Sequence, residues 1–100
     1  MVKFQTLLTK GPAGEILVNG NYVSGIEPVY VERVVLEELD AAGNPIGSWT
    51  FHVDKYIDPV VQSSQMLVSK IPSGSNVKGA RATACYIEIA KVAKSPILNL

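Results

Sequence analysis

The stretch LEELDAAGNPIGSWTFHVD, residues 36–54, joins two apolar segments through a run of turn-forming residues. Its middle, DAAGNPIG at 40–47, has an acidic residue where a turn begins, glycine and asparagine where positive φ is favoured, and a proline that cannot donate a ladder hydrogen bond. Beyond the turn, Trp49, Phe51 and Val53 alternate with polar residues, which is the two-residue period of a strand. The stretch therefore predicts a β-hairpin whose second strand turns these three side chains towards a core.

The strand before this turn, VYVERVVLEEL at 29–39, changes phase in its middle. In a regular strand Val31 and Val34 would point to opposite faces. A β-bulge near Glu32 and Arg33 is therefore needed to turn both side chains to the same buried face. A helix is the alternative, because Glu, Leu and Arg are good helix formers. The valines lose rotamer freedom in a helix, and we therefore favour a bulged strand.

A second irregular strand is expected upstream, in EILVNGNYV at 15–23. Ile16 and Val18 fall on one face, and Asn19-Gly20 is the dipeptide most typical of a tight hairpin turn. We favour one long strand with the glycine at a bulge or a close approach, and the short hairpin is the alternative.

The other apolar stretches also read as strands, separated by Gly, Pro, Asn and Ser. We expect a strand in 2–8, a long connection at 54–64, a strand in 65–71, a polar turn at 72–76, a long strand at 78–92 and a short edge strand in the tail. About seven strands in 100 residues predict one all-β domain, 1–100, built as an antiparallel two-sheet sandwich.

The order of these motifs resembles immunoglobulin-like sandwiches of the fibronectin type III or FxLYD kind. In these domains a strand that ends in Asp continues into a D-x-x-G-x-x-x-G hairpin, and the corresponding stretch here is YVERVVLEELDAAGNPIGSW. An L-x-P-G turn then leads into a core strand, and the corresponding stretches are KIPSGS and ARATACYIEI. The chain has Ile71 and Ser73 in that turn and lacks the Tyr-x-Cys spacing of true immunoglobulin domains. The resemblance implies an immunoglobulin-like fold and no particular function.

Charge and composition narrow the classes of partner. Nine basic and nine acidic residues cancel, so the field that attracts nucleic acid is missing and self-repulsion is weak. No apolar run is long enough to span a bilayer, and MVKFQTLL does not have the pattern of a signal peptide. We expect no nucleic acid, no membrane insertion, and a cytoplasmic or virion component rather than an exported domain without its signal.

Acidic side chains crowd around the hairpin turn without forming a metal site. Glu37 and Glu38 are neighbours on a strand, so they point to opposite faces. Asp40 is placed to cap a turn with its own side chain. We expect a solvated strand end followed by an Asx-type turn.

Metal binding and catalysis have few candidates. His52 and Asp54 share a strand face and Asp58 follows, but a metal would need a further ligand and Cys85 is the only thiol. Cys85 with His52 as base would suffice for acyl transfer if they met, yet a thiol in mid-strand is usually a small core hydrophobe. We predict no cofactor, no metal, no catalytic residue and no enzymatic activity.

Two functions remain. The first is a structural or adhesive protein-interaction module, self-associating as a homo-oligomer through sheet edges, with Ile97, Leu98 and Leu100 either sealing the sandwich or pairing with a neighbour. The second is a glycan- or metal-binding sandwich. Its candidate binding residues are Trp49, His52, Asp54 and Asp58.

Overall fold

The computed structural model describes residues 4–24, 27–58, 64–86 and 92–100, and these residues form eight β-strands and no helix. The strands are β1 (Phe4–Lys10), β2 (Ile16–Tyr22), β3 (Val29–Leu39), β4 (Pro45–Ile57), β5 (Ser64–Lys70), β6 (Gly79–Tyr86), β7 (Val92–Lys94) and β8 (Leu98–Asn99).

The strands form two antiparallel sheets. The small sheet has the order β1-β2-β5. The large sheet has the order β4-β3-β6-β7, and β8 also pairs with β6. The chain changes sheet between β2 and β3, between β4 and β5, and between β5 and β6. The predicted all-β, two-sheet antiparallel sandwich is therefore confirmed, as is the β3–β4 hairpin.

The core lies between the two sheets. The small sheet contributes Phe4, Ile16 and Val18, and the inward side of the large sheet contributes valines and Leu36 from β3. Ala80, Ala82 and Ala84 occupy the inward positions of β6 and are fully buried. These short side chains leave room for β1, which packs across β6.

Both expected irregularities are present. The register of β3 shifts between Val31 and Arg33 against both of its neighbours, which confirms the predicted bulge. β2 is one continuous strand with a register shift against β5 after Val18. A Cβ on Gly20 would lie 2.3 Å from the ring of Phe4, so the glycine marks a close approach and the alternative hairpin is wrong.

Two expected boundaries were wrong. β4 continues through residues 54–57 instead of ending at Val53, because a bulge at Asp54 keeps it paired with β3 as far as Ile57. The predicted long strand at 78–92 is also wrong, since Val92 already pairs antiparallel with Cys85 and the chain has reversed direction. Residues 87–91 lie outside the described part of the chain.

The tail forms the predicted edge strand in two short pieces, β7 and β8, both paired with β6. Ser95 separates them: its N–H donates to the Ala82 carbonyl, and its hydroxyl accepts from the Ala82 N–H at 2.9 Å. Leu98 and Leu100 pack against the core, whereas Ile97 is 51% exposed. The two leucines therefore seal the sandwich.

Candidate functional site

The four predicted binding residues do not converge. Trp49 lies opposite the buried Leu36 and faces the space between the sheets, whereas His52 is exposed on the outer face opposite Arg33. Asp54 occupies the bulge, and Asp58 follows the end of β4. In the described ranges, no three His, Cys, Asp or Glu side chains come together as a metal would need.

Asp54 instead belongs to an exposed aromatic pair. Tyr30 and Tyr56 are cross-strand neighbours on the outer face, with ring centroids 4.8 Å apart in an edge-to-face arrangement. The Tyr30 hydroxyl donates to Asp54 Oδ1 at 3.1 Å. Partial desolvation, and then the hydrogen bond and negative charge of Asp54, raise the pKa of Tyr30. The pair fixes the bulge, because Asp54 has a φ of 48° that its side-chain contact helps to hold.

Cys85 and His52 are separated by β3. Arg33 pairs with His52 on one side and with Cys85 on the other, so the two backbones lie two strand spacings, about 10 Å, apart. Cys85 is buried while His52 is exposed. The geometry therefore does not make His52 a base for this thiol.

Glu38 is fully buried at one end of the sandwich, which contradicts the expected solvated strand end. One carboxylate oxygen accepts from the Ser73 hydroxyl at 2.5 Å, and the other accepts from the Ser73 N–H at 2.9 Å. Lys70 Nζ lies 3.5 Å from the latter oxygen. Glu38 therefore ties β3 to the last residue of β5 and to the turn after it.

Trp49 packs against the cluster formed by Glu38, Lys70 and Ser73. Lys70 Nζ lies 3.9 Å from the centroid of the Trp49 ring, a cation–π contact, and the same ammonium group donates to the Ile71 carbonyl. The ring leans along its own strand over Gly47, where an added Cβ would meet it at 2.5 Å. Gly47 is therefore required for Trp49 to reach Lys70.

The predicted Asx-type turn is confirmed beside this cluster. Asp40 Oδ1 accepts from the N–H groups of Ala42 and Asn44, both at 2.9 Å, and Gly43 has a φ of 84°. An open depression of about 480 Å³ lies next to the turn, with Ile46, Asn76 and Lys78 among its lining residues. Among the described residues that line this depression, Asp40 is the one carboxylate, which is too few oxygen ligands for a calcium ion.

The remaining feature is the outer edge of β4. In the described part of the chain β4 pairs with β3 alone, so half of its backbone donors and acceptors face away from the sheet. Residues 47–52, GSWTFH, pair with β3 without interruption and contain no Lys, Arg, Asp or Glu. We call these six residues the β4 edge segment. A regular, uncharged edge of this kind is a template for another strand.

The inner face of this edge is only partly covered by the small sheet. Trp49, Phe51 and Val53 point inward but remain half-buried, whereas Leu36 and Val34, the β3 partners of Trp49 and Phe51, are fully buried. The core thus covers the inner face of β4 only in part, and a row of large apolar side chains lies partly exposed next to an unpaired edge.

No family model, curated protein or solved structure matches the chain. Within the described residues, no helix could cross a membrane. One indication of the β4 edge is visible in the sequence, namely the uncharged alternation in GSWTFH. It did not indicate that β4 lies at the rim of its sheet, because neighbours such as β6 come from distant parts of the chain.

Proposed function

We propose that this chain is a non-enzymatic protein-interaction module that acts by accepting a β-strand at the outer edge of β4. In this mode the backbone of the added strand supplies most of the binding energy through hydrogen bonds, and its alternate side chains supply specificity. The observation that carries the proposal is the β4 edge segment, which is regular and uncharged and lies beside a half-covered aromatic row.

The other edges are less suited to this role. β1 is equally regular, but Phe4 and Thr6 on its inner face are already buried, so an added strand would cover little further apolar surface. β5 is broken by the register shift opposite Val18 and Asn19. β7 and β8 have three and two residues. Among the strands that the structure describes, only β4 combines a pairable backbone with apolar side chains that gain burial.

The strand order is compatible with the immunoglobulin-like resemblance. In the immunoglobulin constant type, the first, second, fifth and fourth strands form one sheet and the others form the second. Here β1, β2 and β5 share a sheet in the same way, and β4 has moved to the edge of the other sheet beside β3. The shared arrangement of the other strands supports an immunoglobulin-like sandwich, and the relocation of β4 gives that sandwich an edge at which a strand can be added.

The proposal is tested with a labelled peptide carrying residues 46–53, IGSWTFHV, flanked by lysines for solubility. Fluorescence anisotropy should show saturable binding to the folded chain. Thr50→Lys, an exposed substitution in the middle of the β4 edge segment, should weaken binding about ten-fold because charged side chains oppose strand addition.

Ser69→Lys is the matched control, since Ser69 is also exposed and lies on β5, at the edge of the other sheet. It should bind the peptide like the unmodified chain. A second peptide with proline at alternate positions lacks the necessary donors and should not bind. Absence of saturable binding by a monomeric chain, or equal binding by the Thr50 and Ser69 variants, would rule out strand addition at β4.

A further inference from the structure

We infer that the strand received at the β4 edge is β4 of a second copy of this chain, paired antiparallel about a two-fold axis at Thr50. The inference rests on the proposed function and adds the identity of the partner and its register. A two-fold arrangement uses the same surface on both copies and closes the assembly at two chains.

The β4 edge segment is complementary to itself. With the axis at Thr50, the two Thr50 side chains face each other on the outer side, a cross-strand pair that is favourable in antiparallel sheets. Ser48 lies opposite His52, so no like charges meet. The formal net charge of zero adds no long-range repulsion between two copies.

The position of the Trp49 ring selects this register. With the axis at Thr50, Trp49 lies opposite Phe51 of the other copy, and its ring leans away from the axis over Gly47. With the axis at Trp49, Phe51 of the other copy would lie opposite Gly47, in the space that the Trp49 ring already fills. A shift of the other strand by one residue in the register would instead turn its outward-facing side chains to the inner face of the sheet. The Thr50-centred register keeps the Phe51 ring out of this space and places only the smaller Val53 opposite Gly47, beside the bulge where the regular ladder ends.

Pairing in this register covers the half-buried aromatic row. The two large sheets become one continuous sheet, and Trp49 and Phe51 of each copy gain an aromatic cross-strand neighbour. Pro45 and the bulge at Asp54 lie just outside the β4 edge segment. They limit the pairing to this segment, because neither continues a regular ladder.

Cysteine cross-linking measures the register directly. In a Cys85→Ala background, Thr50→Cys places two thiols on directly opposed residues, whose Cα separation of roughly 5 Å suits a disulfide. Ser48→Cys alone places its two thiols roughly 14 Å apart along the strands. Under mild oxidation, Thr50→Cys should give at least about ten-fold more covalent dimer than Ser48→Cys.

A mixture of Ser48→Cys and His52→Cys chains should cross-link with each other, because these positions are opposed in the proposed register. A mixture of Ser48→Cys and Thr50→Cys that forms mainly the mixed dimer would place the axis at Trp49 and overturn the register. A chain that binds the 46–53 peptide yet stays monomeric at every concentration would overturn self-pairing while leaving strand addition in place. A chain that is monomeric and does not bind the peptide would overturn both proposals.

Discussion

At the scale of single residues, Glu38 holds together one end of the sandwich. Replacing it with Ala leaves the Lys70 ammonium without its carboxylate and the Ser73 N–H without an acceptor. Removing one partner of a buried ion pair costs about 3–5 kcal/mol. We expect Glu38→Ala to lower the free energy of unfolding by about this amount in urea denaturation.

Glu37→Ala is the matched control for this measurement. Glu37 is the neighbouring carboxylate and pairs with Arg81 at 3.0 Å, but both side chains are partly exposed. Its removal should cost at most about 1 kcal/mol, because solvent screens such pairs. Similar losses for the two variants would show that Glu38 contributes no more than an ordinary surface pair.

Residue-level prediction from the sequence was accurate where the cause is local. Asp40 caps a turn because its oxygen reaches N–H groups two and four residues further on, and Gly20 is needed because Phe4 lies above it. Glu38 was mispredicted because its partners, Lys70 and Ser73, come from a different sheet and a distant turn. A carboxylate at a strand end is expected in solvent unless such partners are known.

At the scale of the element, β4 depends on the bulge at Asp54. A β-branched residue is strongly disfavoured at a φ of 48°, whereas asparagine tolerates this region. Asp54→Val should lower the free energy of unfolding by roughly 1–2 kcal/mol, and Asp54→Asn should stay within about 0.5 kcal/mol of the unmodified chain. Urea denaturation of the two variants checks this. Equal stability would mean that the left-handed conformation at this position is not required.

The strands themselves were predicted from their alternation, and the bulge in β3 from a change of phase between Val31 and Val34. The bulge in β4 gave no such signal, because Phe51 before it and the buried Ile57 after it have the same parity and both contact the core. The residue that allows it, Asp54, is not a glycine. The extent of β4 was therefore underestimated, although its edge segment was recognised as a strand.

The C-terminal tail is part of the fold, because Leu98 and Leu100 pack against the core. Removing residues 95–100 deletes Leu98 and Leu100 from the core and the Ser95 hydroxyl from the Ala82 N–H. We expect the free energy of unfolding to fall by roughly 2–4 kcal/mol while the folded fraction still dimerises. Denaturation and light scattering of the truncated chain measure the two effects separately. Loss of the dimer with unchanged stability would place the tail at the interface.

The pairing of the sheets is the part of the fold that the sequence specifies least directly. Two sheets were expected from the number of strands and turns, yet the rim position of β4 follows from β3 pairing with β6 on its other side. That contact joins residues far apart in the chain. The sequence alone therefore points to the apolar tail, with Ile97, Leu98 and Leu100, as a candidate interface and does not point to the edge of β4.

Self-association through the β4 edge is tested most directly by the solution mass, measured by light scattering on a sizing column over a range of concentrations. The unmodified chain and Ser69→Lys should both show twice the mass of one chain, and Thr50→Lys should elute as a folded monomer. An unmodified chain that is monomeric throughout, or a dimer that persists in Thr50→Lys, would contradict association through β4.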